Sequence, residues 1–315
     1  MKRLPRRSVG GSDVRTLAVE AAGGLYIVAT EADQEEARTA VASGRIRALE
    51  VQTAELGFLE GLPLEYLTLN VTEPWIEAVN SLGRLRGLSA DTWRGPLDFS
   101  RLPALEWFNV TEVAHGQLER LAQTGHERLR DVSIGRYRWD DLRPLAGLAS
   151  LERLEIVDSR ALRRLDGVEH LGCLRALELA TCPRLDSLEG IARAGQLEGL
   201  VIRSCSRVDD LGPVANGGSV GALMLEMRKP PSLAPLVESA GLEAVWLVGG
   251  TKRPTSEFDA LRAMPTMTFI ADSRRCWIRD TEGSWEAVPD IYAAASSVQA
   301  RVEAGQARFR EITGG

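Results

Sequence analysis

The chain is short of cysteine, histidine, lysine and aromatic residues, and each shortage removes a class of protein. Four cysteines (Cys173, Cys182, Cys205 and Cys276) in 315 residues are too few for a disulfide framework, and none forms a C-x-x-C pair. The three histidines leave His170-x-x-Cys173 without a second ligand pair, so no metal site is expected. Only 3 lysines accompany 35 arginines, a bias that fits a GC-rich bacterial genome. Positive charge is not in excess either: 38 basic against 44 acidic residues give a net charge of −6. The footprint that generic binding to nucleic acid or an anionic membrane requires is therefore missing. No apolar run approaches the roughly 18–20 residues of a membrane helix. The basic start MKRLPRRSVGGSDV has no apolar segment behind it, so no secretory leader is expected and the cytoplasm is the expected compartment.

Catalytic signatures are missing as well. The sequence has no G-x-S-x-G, H-E-x-x-H, P-loop or Rossmann glycine pattern, and GGTK at Gly249–Lys252 lacks the upstream glycine and following Ser/Thr of a P-loop. No enzyme activity and no cofactor are expected on these grounds.

What the chain does have is a repeat. LERLEI begins at Leu151, LRALEL at Leu174 and LEGLVI at Leu197, 23 residues apart in each case. The second and third extend to L-x-x-L-x-L-x-x-C, ending at Cys182 and Cys205. The register runs on through VGALML, LEAVWL and a degenerate MPTMTF at Met264. It runs back through LRDVSI, LEWFNV, LRGLSA and LEYLTL to IRALEV at Ile46. Eleven starts, spaced by 18 to 24 residues, span 218 residues at a mean of 21.8. Within each unit the fourth and sixth positions are apolar and the third, fifth and seventh usually are not, the alternation of a strand with one buried face. A strand this short buries that face only against stacked neighbours. Return segments carry their own spacing, as in Leu162–Leu165–Val168–Leu171, and three contain L-x-P-[LV], where proline suits the first turn of a short helix.

The pattern resembles the leucine-rich-repeat family, in its short bacterial class of about 22 residues. The resemblance implies an α/β solenoid: a horseshoe with a parallel β-sheet on its concave face, short helical or 3₁₀ segments on the convex face, and a cap at each end. Residues 1–45 form the N-terminal arm and cap, 46–270 the solenoid, and 271–315 a C-terminal cap. In the first cap, apolar runs at Val14–Val19 and Leu25–Ala29 precede a helix from Thr30 to Gly44. In the last, a hairpin turns at Glu282–Gly283 and an Ala-rich helix covers Ile291–Phe309. The resemblance also gives the Cys182/Cys205 position a structural role, satisfying loop backbone groups.

The third, fifth and seventh positions point to the concave face, and their character changes along the chain. Early repeats set Tyr66 and Trp107 beside Asn109; the middle carries Asp131, Arg153, Glu155 and Glu178; the end turns apolar at Val201, Met224, Trp246 and Val248. Two patches are thus candidates for partner binding, Tyr66/Trp107/Asn109 and Val201/Met224/Trp246/Val248. For the second, an equal alternative is that the C-terminal cap, with Trp277 and Trp285, folds back over it. The leading expectation is a non-enzymatic module, an adaptor, regulator or immunity protein, that binds a protein or peptide on the concave face as a monomer. The rivals are an enzyme or modification-pathway component working through the C-terminal segment with Cys276, and a self-associating scaffold.

Overall fold

In the computed structural model the chain is described over residues 25–112, 116–249, 254–272, 276–280 and 282–288. The expected run at Val14–Val19 and the helix over Ile291–Phe309 lie outside these residues.

The chain opens with β1 (Leu25–Val28) and α1 (Glu31–Ala42). Thr30 starts α1 with a capping box: its hydroxyl accepts from the Asp33 amide at 3.4 Å and its own amide donates to the Asp33 carboxylate at 2.7 Å. Gly44, at φ +72°, turns the chain out of the helix. The repeats then give β2 (Ala48–Val51), β3 (Tyr66–Leu69), β4 (Gly87–Ala90), β5 (Trp107–Val110), β6 (Asp131–Gly135) and β7 (Arg153–Val157). They continue as β8 (Ala176–Ala180), β9 (Gly199–Arg203), β10 (Ala222–Glu226), β11 (Ala244–Val248) and β12 (Phe269–Ala271). The hairpin β13 (Cys276–Arg279) and β14 (Trp285–Val288) follows, with Gly283 at its turn.

All 14 strands form one sheet in sequence order. Pairing is parallel from β1 to β12 and antiparallel from β12 through β14. Both caps therefore contribute strands to the repeat sheet. The sheet begins at Leu25, one repeat before the first L-x-x-L-x-L, because β1 pairs with β2 in the same parallel register (Leu25 with Ala48, Val28 with Val51). Capping by extension covers the open edge of the first repeat.

Returns between strands are short 3₁₀ turns or helices: α2 (Gln117–Gln123), α3 (Gly212–Gly217), α4 (Thr255–Arg262), and 3₁₀ segments such as Arg143–Leu145 and Ala234–Glu238. Proline occupies the first turn at Pro144, Pro213 and Pro235. The helical layer is bulkier per repeat than strands spaced about 4.8 Å apart, which puts the sheet on the inside of the curve. Between the two layers runs one continuous core, with the strand leucines (Leu154, Leu177, Leu200, Leu223) and return leucines (Leu165, Leu188, Leu211, Leu236) all at most 2% exposed.

The turn after each strand in the middle repeats is built on one rule. Arg136, Asp158, Thr181 and Ser204 adopt φ between +48° and +56°, and the next side chain turns inward: Tyr137, Ser159, Cys182 and Cys205. Ser159 donates to the Tyr137 carbonyl at 2.7 Å and accepts from the Leu162 amide at 3.0 Å. The Cys205 thiol lies 3.5 Å from the Leu179 carbonyl. The contact with the Cys205 thiol, and then burial, raise the Cys182 thiol well above its ordinary range, so it stays protonated. These thiols meet carbonyls at the strand ends in a close-packed stack.

Candidate functional site

Register places one fifth-position side chain per parallel strand from β1 to β11 in a row along the concave face: Ile27, which is 51% exposed, Glu50, Thr68, Ser89 and Asn109, then Ser133, Glu155, Glu178, Val201, Met224 and Trp246. A third-position row flanks it. The face divides into three stretches.

The first centres on Gly87. A Cβ there would lie 2.7 Å from Tyr66 Cδ1 and 3.8 Å from Trp107 Cε3, so the missing side chain is what lets the two rings close over the strand. The Arg86 guanidinium sits 5.9 Å from the centre of the Tyr66 ring. Tyr66 and Trp107 are only 8% and 9% exposed in consequence. As candidates for partner binding, both aromatics are expected to face solvent. The gap at Gly87 instead makes them packed ones, and half-buried Asn109 contributes the polar surface next to them. Towards the N-terminus, Glu50 Oε1 accepts from Gln52 and Asn70 at 3.0 and 3.2 Å.

The middle stretch is an ion ladder. Arg153 lies 3.8 Å from Asp131 and 3.7 Å from Glu178; Arg203 lies 2.8 Å from Glu178 and 3.5 Å from Glu226. Ser133 donates to Glu155 at 2.8 Å. Burial pushes the Glu178 carboxyl up to about 7; the charge of Glu155 adds to this, and Arg203 and Arg153 oppose it. Burial likewise raises Asp131 to about 6 against the pull of Arg153.

The third stretch is apolar. Met224, Trp246 and Val248 are half-buried. Beside them Ala222, Ala244, Phe269, Ala271, Cys276 and Ile278 form a small cluster separate from the main core. Trp246 meets Phe269 edge to face at 6.4 Å. Val201, placed by the sequence analysis in the open apolar row, is 5% exposed: its short side chain is overtopped by Glu178 on one side and Met224 on the other.

Among the described residues, the cap hairpin does not fold back over this patch. It extends the sheet edge to edge, so alternation sends Trp277 and Trp285 to the core side. There Trp277 stacks on Phe258 at 4.9 Å and Trp285 Nε1 donates to the Arg262 carbonyl at 2.9 Å. Cys276 goes to the concave side. Burial pushes its thiol up to about 12, so it is not a thiolate near neutral pH.

Sequence reasoning missed three features. Arg203 and Glu226 continue the ladder from seventh positions, readable by carrying the alternation past Glu178. Phe269, Cys276 and Ile278 enlarge the apolar patch; the unit read from Met264 would send Phe269 to the core, but Phe269 pairs with Ala244, so the last strand is set three residues later and Phe269 faces the concave side. Trp75, 59% exposed, stands over Gly95 in a turn whose spacing breaks the repeat. Among the described residues no group of three His, Cys, Asp or Glu is placed to hold a metal ion, and no helix is long and apolar enough to cross a membrane.

The repeated L-x-x-L-x-L strands, their ordered parallel sheet and the stacked turns give the chain the leucine-rich-repeat fold. No family model and no curated protein matches the sequence. Solved structures do: the Listeria monocytogenes internalin InlF is similar at TM-score 0.49 and 18% identity, over 70% of this chain and 63% of that one. Internalin C2 of the same organism is similar at 0.42 and 18%, over 69% and 84%. A leucine-rich-repeat protein of Leptospira interrogans is similar at 0.36 and 12%, over 72% of each chain. The chain thus spans less than two thirds of the length of InlF.

Proposed function

We propose that the chain is a protein-binding module of the cytoplasm whose concave face takes a protein or peptide, centred on Met224, Trp246 and Val248. One observation carries this reading: a half-buried Met–Trp–Val patch lies on a rigid sheet, backed by its own apolar cluster and bordered by Arg203 and Glu226. An apolar, aromatic centre inside a charged border is the anatomy of a protein interface, and Trp and Met are the residue types that anchor one. The scaffold lowers the entropic cost of binding because the strands that carry the patch are held on both sides by neighbouring repeats.

The test is affinity capture from the encoding organism, with wild-type protein beside a Met224→Glu/Trp246→Glu variant shown by circular dichroism to be folded. Loss of a hot-spot aromatic costs about 2 kcal/mol or more, roughly a thirtyfold loss of affinity. A stoichiometric protein held by the wild type and lost by the variant supports the reading. A protein held equally by both, or none held by either, refutes it.

A further inference from the structure

The two rims of the sheet treat charge in opposite ways. At the rim where strands begin, the second residue of each repeat alternates in sign from Arg47 to Glu198. Neighbours pair across repeats: Arg47–Glu65 at 3.2 Å, Arg86–Glu106 at 2.7 Å, Arg130–Glu152 at 3.4 Å and Arg175–Glu198 at 3.3 Å. That rim satisfies itself.

The rim where strands end does so only in its early turns, where Glu73 pairs with Arg94 at 2.8 Å and Glu112 with Arg136 at 3.0 Å. From the turn after β7 onwards, four successive turns present Arg160, Arg184, Arg207, and Arg228 with Lys229, all exposed. Among the described residues, none of these five cations has a hydrogen-bond or ion-pair partner. They recur at matching positions, eight to ten residues after the start of each repeat. Like charges on neighbouring repeats gain nothing from one another, and the molecule has the acids to pair them, as its other rim demonstrates.

The row ends in a depression of about 520 Å³ over Tyr137, lined by Arg136, Arg138, Arg160, Glu112 and Asp158. Glu112 holds Arg136 at 3.0 Å and also pairs with Arg138, which leaves Arg160 to face the depression uncommitted.

We propose that this cationic rim docks a carboxylate-rich segment of the protein partner, with the arginines of the turns after β7, β8 and β9 as its anchors. The proposal rests on the concave-face reading, since Val248 and Glu226 carry that surface up to the same rim. Four turns spaced about 4.8 Å apart span about 15 Å, the reach of about five extended residues at 3.3 Å each. Guanidinium groups match carboxylates in plane and in paired donors. Asp158 and Asp209 stand on the same turns. A peptide can set uncharged residues against them, whereas a phosphodiester chain carries a charge at every step and meets a molecule of net charge −6.

The test is fluorescence anisotropy with labelled oligoglutamate and, separately, oligothymidylate of equal charge, at low salt. The rim variant is Arg160→Glu/Arg184→Glu/Arg207→Glu. The control is Arg84→Glu/Arg101→Glu/Arg120→Glu, three exposed arginines of the convex side with the same change in net charge. The wild type should bind oligoglutamate more tightly than oligothymidylate, lose that binding with added salt, lose about tenfold or more in the rim variant, and keep it in the control. No binding by the wild type, an equal effect in both variants, or tighter binding of oligothymidylate overturns the proposal. Met224→Glu/Trp246→Glu goes through the same titration. Unchanged oligoglutamate binding there, beside an unchanged capture result, removes the concave site while leaving the rim intact.

Discussion

The buried ion ladder makes the stability of this protein depend on pH in a direction opposite to that of ordinary surface ion pairs. Glu178 is 6% exposed in its side chain, and its carboxyl rises from an ordinary 4.5 to about 7 because burial outweighs the pull of Arg153 and Arg203. A carboxyl raised on folding binds its proton more tightly in the native state than in the unfolded chain. Its contribution is therefore fully present below about pH 4.5 and is lost as pH climbs through about 7. The difference corresponds to roughly 3 kcal/mol across that window. Asp131, raised to about 6 but a quarter exposed, adds a smaller effect of the same sign. Glu178→Gln removes the titrating group and keeps its size. Urea unfolding of wild type and variant at a series of pH values between 4.5 and 8 reads the effect as the gap between their midpoints. Relative to the variant, the wild type should lose on the order of 3 kcal/mol over the series. A constant gap would refute the argument. A gap that moves in the wild type's favour would mean that the arginines outweigh burial and that Glu178 is an ordinary ion-pair carboxylate.

Two further outcomes follow from close packing. Gly87→Val puts a branched side chain where a Cβ already lies 2.7 Å from Tyr66, and should lower stability by about 1–3 kcal/mol in a thermal melt; an unchanged melting temperature would show that the Tyr66 ring moves aside without cost. Of the four free thiols, exposed Cys173 should react quickly with a thiol reagent in the native protein, while Cys182, Cys205 and Cys276 wait for unfolding. Fast reaction of Cys182 or Cys205 refutes the stacked-turn account, and fast reaction of Cys276 refutes its burial in the cap cluster.

The solenoid was legible because its signal repeats: one L-x-x-L-x-L is ambiguous, whereas ten in phase leave a parallel sheet as the way to bury every strand, and only the degenerate unit at Met264 is out of register, with Phe269 opposite Ala244. The end strands were harder to read. β1 has only Leu25–Val28 to announce it, and Cys276–Arg279 pairs antiparallel, so neither shows the motif. The surface was half legible. Alternation identified which side chains face the concave side, but exposure there depends on the neighbours in the next repeat. Tyr66 is covered because residue 87 is glycine, and Val201 because residues 178 and 224 are long. The rim charges are visible at fixed repeat positions, yet only the structure separates Arg130, which has Glu152 within reach, from Arg160, which has no partner among the described residues.

The ion ladder sits where a run of leucines would be more stable. Buried ion pairs are poor stabilisers, since the cost of desolvating both partners offsets their attraction, and apolar residues of similar size often do better. On this face, though, leucines at positions 131, 153, 178 and 203 would join the Tyr66/Trp107 pair to the Met224/Trp246 patch in one long apolar surface. Such a surface favours self-association. The ladder interrupts it. Two paired arginines keep the middle of the sheet polar and separate the apolar patch next to the C-terminal cap, beside the rim that carries the unpaired cations, from Ile27, 51% exposed opposite Glu50 at the other end. A partner that presents both an apolar anchor and carboxylates then meets an apolar patch and unpaired cations together at one end of the sheet, which gives a repetitive scaffold a preferred address.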